Sequence, residues 1–551
     1  MKILQKKKFN RAENILLLLG FVILTLVVRL YYNSGPVYEL GDEGIYLNTI
    51  SQSVIFKSQQ TFSMYGGVDF SNPLQDAFNP ANIFKFYEGF LYPEILVSTI
   101  FGYNAANAIY YVTFWSLIEC VFIFLIISEI SSRRAAIIAM MLFAFFPLDV
   151  ILSIRVLPII PMTAMLTVAV YFFIKKEGSK RVQPKNTYSL LSGLFIGLAY
   201  LVHPEGVILL QFLILYSLSK IIKNRNDFKL EAGSLALMLL GAFLAFSITG
   251  TQYLVSADNF FLYPEVDHNV FLYQYKTQPL SNYSVGNSLV LTYTTGSPSN
   301  YIDLLLRFGP TKDLFYAMYG MFYFSILGYL VIVFGVFLLI ASKKSRQKMF
   351  VYMFVIYFIL LSFMPTNTSI NSQGRLVLLI VNSDVIYLSV LILPTIAIVA
   401  IGMDYLISRK NMFFGGLAIV VVLCCIAISI RQLNYDSSVY RNSMYDVNAF
   451  VKYVGMHSNS TYYANPAFTQ EVEDITGYKY DVKPLFDCSY SNIAAISNSS
   501  FVVGGTISMT WTPEVLQNYD NCVIKNLTNA RVVYEVQNPY EPSSPLKVLK
   551  P

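Results

Sequence analysis

Charge is scarce in this sequence, and so are cysteine, histidine and tryptophan. Only 13% of its 551 residues are charged, against about 25% in a soluble domain. Hydrophobic residues make up 55%, and the mean hydropathy is +0.52. Those values exclude an ordinary water-soluble globule and imply a polytopic membrane protein. Five cysteines are too few for a disulfide scaffold, and no spacing among them resembles a zinc site. Cys120, Cys424 and Cys425 fall in apolar runs as small hydrophobes, whereas Cys488 and Cys522 share the tail and form one candidate disulfide. There is no internal repeat, no long low-complexity segment, and no small-residue cleavage site after the apolar run Ile15–Val28. That run therefore reads as a retained anchor.

What the chain does have is apolar runs, enough for about eleven spanning helices of roughly 20 residues each. They fall near 13–32, 104–128, 134–153, 157–174, 187–203, 206–222, 230–254, 317–341, 348–364, 384–407 and 412–430. A further run, Gly89–Phe101, is too short to span and suits the interface. The formal net charge of +6 is no sign of nucleic-acid binding, because the basic residues are grouped by topology. Lys2, Lys6–Lys8 and Arg11 precede the first span. Arg133 and Arg134, Lys175 to Lys185, Lys220 to Lys229, Lys343 to Lys348, and Arg409 with Lys410 occupy alternate connections. This is the positive-inside pattern. It predicts a cytoplasmic amino terminus and an outside carboxyl terminus.

Three regions then face outward: a loop at 33–103, a second at 255–316, and the tail at 431–551. The predicted division is a transmembrane domain over 1–430 and a small extracytoplasmic α/β domain over 431–551. Within the tail Val447–Val454 reads as helix, and Phe501–Val503 and Arg531–Tyr534 read as strands. Sequons at Asn282, Asn367, Asn459, Asn498 and Asn526 all fall at predicted outside positions.

The first outside loop carries Gly41-Asp42-Glu43-Gly44-Ile45-Tyr46, an adjacent acidic pair at the membrane surface. Ile45, Tyr46, Ile50 and Val54 follow at helical spacing, which puts Asp42 at or near a helix N-terminus, where free N–H groups and the dipole stabilise a carboxylate. Taken alone, that makes Asp42 an N-cap and Glu43 a solvated first-turn acid. Other ionisable residues carry two readings as well. Glu119, inside a span, is a functional-site candidate or a hydrogen-bonded contact between helices, the second being preferred. Glu265, Asp267 and His268 in the second loop read as solvated, and no metal or cofactor is expected from them, although a divalent metal is left open.

The acidic pair, with a Tyr shortly after it, in the first outside loop of a basic-ended multispanning chain resembles the GT-C glycosyltransferases. The likeness is to the branch of the protein O-mannosyltransferases and the bacterial enzyme that adds aminoarabinose to lipid A. Tyr87–Gly102 is similar to that family's approach to its second helix, and Ser153–Pro161 to its short third outside turn. Gly193–Ala199 followed by His203-Pro204-Glu205-Gly206 is similar to its hairpin break. The likeness is good through about residue 220 and holds mainly by layout beyond. It implies a polyprenyl-phosphate-linked sugar as donor and inverting transfer to a protein, lipid or glycan acceptor on the outside. Asp42 would be the general base beside Glu43, with Arg155 and Arg375 at the lipid phosphate and Tyr46, His203 and Glu205 near substrate. Each arginine is alternatively an interface residue that snorkels, and His203 and Glu205 alternatively have a structural role at the helix reversal made by Pro204 and Gly206. The chain also departs from the pattern. Where many relatives carry an Asp directly after Leu-Pro, it has Ile159, and the Trp-Trp-Asp motif of oligosaccharyltransferases is absent, since the tryptophans are Trp115 and Trp511 alone. A non-catalytic membrane scaffold of this fold is therefore a rival reading. A secondary transporter is a weaker one, because paired repeats are lacking. The expected home is the cell membrane, or the endoplasmic reticulum membrane in a eukaryote.

Overall fold

The computed structural model describes residues 11–33, 35, 42–55, 88–179, 181–223, 228–255, 326–363, 365–370, 376–380, 385–408, 412–457, 459–464, 466–484, 500–504, 530–537 and 545–550. They form two compact units. The first unit comprises residues 1–32, 113–153 and 158–433; the second comprises 33–112, 154–157 and 434–551.

In chain order the helices are α1 (Arg11–Tyr32), α2 (Asp42–Ile55), α3 (Glu88–Phe101), α4 (Ala105–Ile130), α5 (Arg133–Ala144), α6 (Pro147–Ser153) and α7 (Ile159–Gly178). Then come α8 (Val182–Val202), a 3-10 turn (Pro204–Gly206), α9 (Val207–Lys223), α10 (Phe228–Val255), α11 (Ile326–Ala341) and α12 (Ser345–Phe363). A two-stranded antiparallel ribbon, β1 (Pro365–Ile370) and β2 (Leu376–Ile380), precedes a 3-10 stretch (Val385–Leu391). Next are α13 (Ile392–Ser408) and α14 (Met412–Ser443).

Each of the predicted spans contains helix. Six helices among the described residues are long and apolar enough to cross a membrane alone: α1, α4, α7, α10, α14, and α13 with the end of its preceding 3-10 stretch. The pair α5–α6, bent by 57°, makes a seventh if counted as one broken span. That bend has a local cause. Pro147 has no N–H to donate to the carbonyl of Phe143 four residues back, so the helix stops and restarts.

Within the first unit α8 packs against α10 at backbone contact, and glycines permit it. A Cβ on Gly193 would lie 1.8 Å from the Met238 carbonyl oxygen, and one on Gly241 would lie 2.2 Å from that of Leu190. A Cβ on Gly197 would lie 2.5 Å from Ala245 Cβ. This is the small-residue packing that membrane helices use in place of a hydrophobic drive. The hairpin between α8 and α9 turns at Pro204–Gly206.

Basic residues that the charge pattern assigns to one face meet acids in the first unit. Lys185 and Lys220 reach Glu231 at 2.8 and 2.9 Å, and Lys220 reaches Glu177 at 2.7 Å. Lys176 lies 3.7 Å from Glu231, and Arg346 donates to the Glu177 carbonyl at 2.9 Å.

The second unit contains a five-stranded mixed sheet of order β4-β3-β5-β7-β6, formed by β3 (Thr461–Ala464), β4 (Val482–Pro484), β5 (Ser500–Gly504), β6 (Arg531–Val536) and β7 (Leu546–Lys550). Strand β3 runs parallel to both β4 and β5, and β7 runs antiparallel to β5 and β6. Parallel neighbours need a crossover, and between β3 and β4 that crossover is α16 (Pro466–Thr476). The helix α15 (Tyr445–Met456) enters the sheet. Val447, Phe450 and Val454 from α15, Tyr462 and Ala464 from β3, Phe468 and Val472 from α16, and Val548 from β7 make one buried core. Phe450 sits edge-on against both Tyr462 and Phe468. The tail is thus α/β, with strands at both predicted places.

Candidate active site

Helix α2 starts at Asp42, the position expected for an acid at a helix N-terminus. The next residue, Glu43, is fully buried in the second unit. One of its oxygens, Oε1, accepts the backbone N–H of Val156 at 2.8 Å. The other, Oε2, accepts from Arg155 Nη1 at 3.3 Å. Arg155 is itself 1% exposed. A buried carboxylate is tolerated when both oxygens are hydrogen-bonded and its charge is paired. Glu43 meets both conditions, and it fastens the first turn of α2 to the turn at 154–157. Glu43 is therefore not the solvated first-turn acid that the dipeptide alone suggests.

Tyr46, one turn on, is buried and packs edge-on against Phe90 of α3, with ring centroids 5.5 Å apart. Phe90 in turn faces Tyr111 of α4. Helix α3 also brings in Glu94, which the sequence reading passed over. Its side chain is fully buried and accepts from Ser98 Oγ at 2.8 Å, while its second oxygen has no hydrogen-bond partner. Burial pushes the Glu94 carboxyl up to about 7. The signal was present in the sequence as a lone acid in a short apolar run.

In the first unit, His203 and Glu205 come together as the hairpin break requires. The Glu205 N–H points at His203 Nδ1 from 3.4 Å, and Glu205 Oε2 lies 3.8 Å from the same nitrogen. Both residues are buried. Ile159, in the place of the family acid, is the first residue of α7 and is buried. Arg375, the pair Cys488 and Cys522, the loop acids Glu265 and Asp267, and His268 fall outside the described residues. Among the described residues no three His, Cys, Asp or Glu side chains converge as a metal site.

A second buried ion pair was not anticipated. Arg29, in the last turn of α1, pairs with Asp149 of α6, and both are completely buried. The guanidinium also donates to Ser116 Oγ at 3.1 Å, to the Ala144 carbonyl at 2.8 Å and to the Phe143 carbonyl at 3.4 Å. Those last two carbonyls end α5, where Pro147 cannot supply the N–H four residues on from Phe143; the Phe143 carbonyl also accepts the Phe146 N–H at 3.1 Å. Ser116 Oγ donates to Asp149 Oδ2 at 2.8 Å and closes the ring of contacts. Each of these charges stands alone in an apolar run, and in a membrane that is a signal in itself.

Residues 92–249 match the family model described as dolichyl-phosphate-mannose-protein mannosyltransferase. No curated protein matches the sequence. Among solved structures, the chain is similar to ArnT from Cupriavidus metallidurans bound to undecaprenyl phosphate, with TM-score 0.54 and 11% identity over 96% of this chain and 97% of that one. The same protein in its apo state gives TM-score 0.52 and 12% identity, covering 98% and 99% of the two chains. The oligosaccharyltransferase of Archaeoglobus fulgidus, tethered to an acceptor peptide with the NVT sequon, gives TM-score 0.50 and 11% identity over 97% of this chain and 74% of that one. The chain has the fold of the GT-C superfamily of glycosyltransferases, and its residues 92–249 match the mannosyltransferase model within it.

Proposed function

We propose that the protein is an inverting glycosyltransferase that moves a sugar from a polyprenyl-phosphate donor to an acceptor on the extracytoplasmic side of the membrane. The observation that carries this reading is the clamp on Glu43. With both its oxygens engaged by Val156 and Arg155, Glu43 is committed to holding the start of α2, and the base role falls to Asp42 at the helix N-terminus. There the helix dipole favours the ionised, proton-accepting form. In the transfer, the acceptor oxygen attacks the anomeric carbon and forms the new glycosidic bond. The bond from that carbon to the phosphate oxygen breaks, its electron pair leaves with the lipid phosphate, and the acceptor's proton goes to the Asp42 carboxylate.

ArnT is bound to undecaprenyl phosphate, which supports a polyprenyl phosphate as the leaving group here. Cationic groups must meet that developing charge. Arg155 is already paired with Glu43, so its first role is to position the acid-bearing helix, and Arg375 is the candidate for the phosphate. The acceptor is a protein side chain, a lipid glycan or a growing oligosaccharide.

The test compares purified wild type with Asp42→Asn, following loss of labelled polyprenyl-phosphate sugars. Wild type should consume the donor, and the variant should lose about 10²–10⁴-fold in rate while unfolding at the wild-type temperature. Equal consumption would remove Asp42 as the base. A wild type that binds the donor without consuming it, whatever acceptor is supplied, would favour the non-catalytic scaffold, to which buried Ile159 already lends weight.

A further inference from the structure

The first unit holds a small pocket lined by five polar and four apolar residues, apart from the groups given roles in the transfer proposed above. Glu119 of α4 is 1% exposed. Its oxygens accept from Thr163 Oγ1 at 3.0 Å and from Thr167 Oγ1 at 3.2 Å, both on α7. This is the contact between helices expected of it, and it leaves two matters unsettled. The first is charge. Threonine hydroxyls donate hydrogen bonds but neutralise nothing, and an uncompensated carboxylate inside a membrane bundle is costly. Arg29 acts on Glu119 electrostatically, but that guanidinium is bound to Asp149, so the three groups together carry one negative charge when both acids are ionised. The second is hydrogen bonding. Tyr357 of α12 and Ser389 of the 3-10 stretch are both buried, and neither hydroxyl has a hydrogen-bond partner. Both line the same small cavity as Glu119, Thr163 and Thr167.

We propose that Glu119, Thr163, Thr167, Tyr357 and Ser389 form a binding site for one small monovalent cation of about sodium's size. Each hydroxyl oxygen keeps a lone pair for the ion, so the polar part of the lining offers hard oxygen donors, as hard cations prefer; Leu166, Met353, Val390 and Leu393 make up the rest of the wall. One carboxylate matches one positive charge. A divalent ion finds no cluster of three acidic, His or Cys side chains anywhere among the described residues. The cavity measures about 10 Å³, close to the room needed for a single water. That admits a dehydrated small ion and excludes a hydrated or organic one. The same ion would satisfy the charge of Glu119 and occupy the oxygens of Tyr357 and Ser389.

The experiment follows thermal unfolding of the full chain in detergent while sodium chloride replaces choline chloride at constant ionic strength. Wild type should gain a few degrees in a saturable way, because a ligand bound by the folded state alone stabilises it. Glu119→Gln should show no sodium-dependent gain. Thr167→Val, which keeps the carboxylate and removes one oxygen, should need about tenfold more sodium for half the effect, a loss of one ligand. This second variant keeps the test decisive if Glu119→Gln does not fold. A wild type indifferent to sodium would overturn the proposal in favour of a protonated Glu119 beside a water. So would an equal gain in Thr167→Val or Glu119→Gln.

Discussion

Two buried arginine–carboxylate pairs divide this protein's chemistry between its two units. In the Arg29–Asp149 pair of the first unit the arginine is the hub. Its guanidinium reaches a serine, two carbonyls at the end of α5 and the carboxylate. It ties α1, α4, α5 and α6 together at the point where Pro147 interrupts the chain. In the Glu43–Arg155 pair of the second unit the carboxylate is the hub, and it holds a helix start against a turn. The first arrangement surrounds the guanidinium with fixed acceptors, while the Asp149 carboxylate is held, among the described residues, through Oδ2 alone. The second fixes Glu43, the residue next to Asp42, and with it the first turn of α2. Burial and pairing look alike in the two cases; what distinguishes them is the neighbour each pair positions.

The largest effect should come from breaking the first pair. Asp149→Ala leaves Arg29 charged and buried without its partner, which costs about 3–5 kcal/mol, read as a collapse in folded yield and unfolding temperature in detergent. The double replacement Arg29→Met with Asp149→Leu should recover much of that loss, because it removes both desolvated charges. If the single variant unfolds at the wild-type temperature, the pair is not a structural hub.

Glu43→Gln should be milder in stability and sharper in function. The amide oxygen still accepts the Val156 N–H and still faces Arg155, so unfolding shifts by about 1–3 kcal/mol, less than for a truncation that removes the acceptor altogether. Arg155 loses the Glu43 carboxylate, and the start of α2 loosens. Misplacing a catalytic group by about 1 Å costs about 10²-fold, so donor consumption should fall about 10–100-fold with the donor's KM little changed. A stability loss as large as that of Asp149→Ala would make the two pairs equivalent and end the comparison. Full activity would show that the clamp does not place Asp42.

Much of this was legible in the sequence, for a physical reason. Apolar run length is a one-dimensional property, so every predicted span contains helix, and the acid at the head of α2 follows from local spacing. The proline and glycine of the His203–Gly206 break likewise act within a few residues. The pairings were not legible. Glu43 and Arg155 were each singled out, but for contact with substrate; that they bind one another depends on the chain folding back across a separation of 112 positions, and no local pattern encodes that. Arg29 and Asp149 are separated by 120 positions, and their apolar surroundings showed only that each needed a partner. Glu94 was missed because its run reads as interfacial, where a lone acid is expected to reach water and calls for no partner.

Glu94 gives the finest test of the comparison, as the buried carboxyl whose hydrogen-bond partner is a serine and not an arginine. Burial without a cation raises it to about 7 from an ordinary value of 4.5. In the unfolded chain the group ionises near its ordinary value, whereas in the folded chain it holds its proton until about 7. The folded state is therefore favoured fully below pH 4.5, and that advantage is lost as the pH rises through 7. Glu94→Gln cannot ionise and should flatten this dependence. At pH 8 it should be more stable than wild type by about 1 kcal/mol, a net of the relieved charge burial against an amide that also lacks a full set of partners. At pH 4 the order should reverse or vanish. Unfolding curves for both proteins across that range decide the matter: parallel curves would mean that Glu94 keeps an ordinary affinity for its proton. In that case a buried acid in this unit would be stable without an arginine, and the charge of Arg155 would not be what secures Glu43.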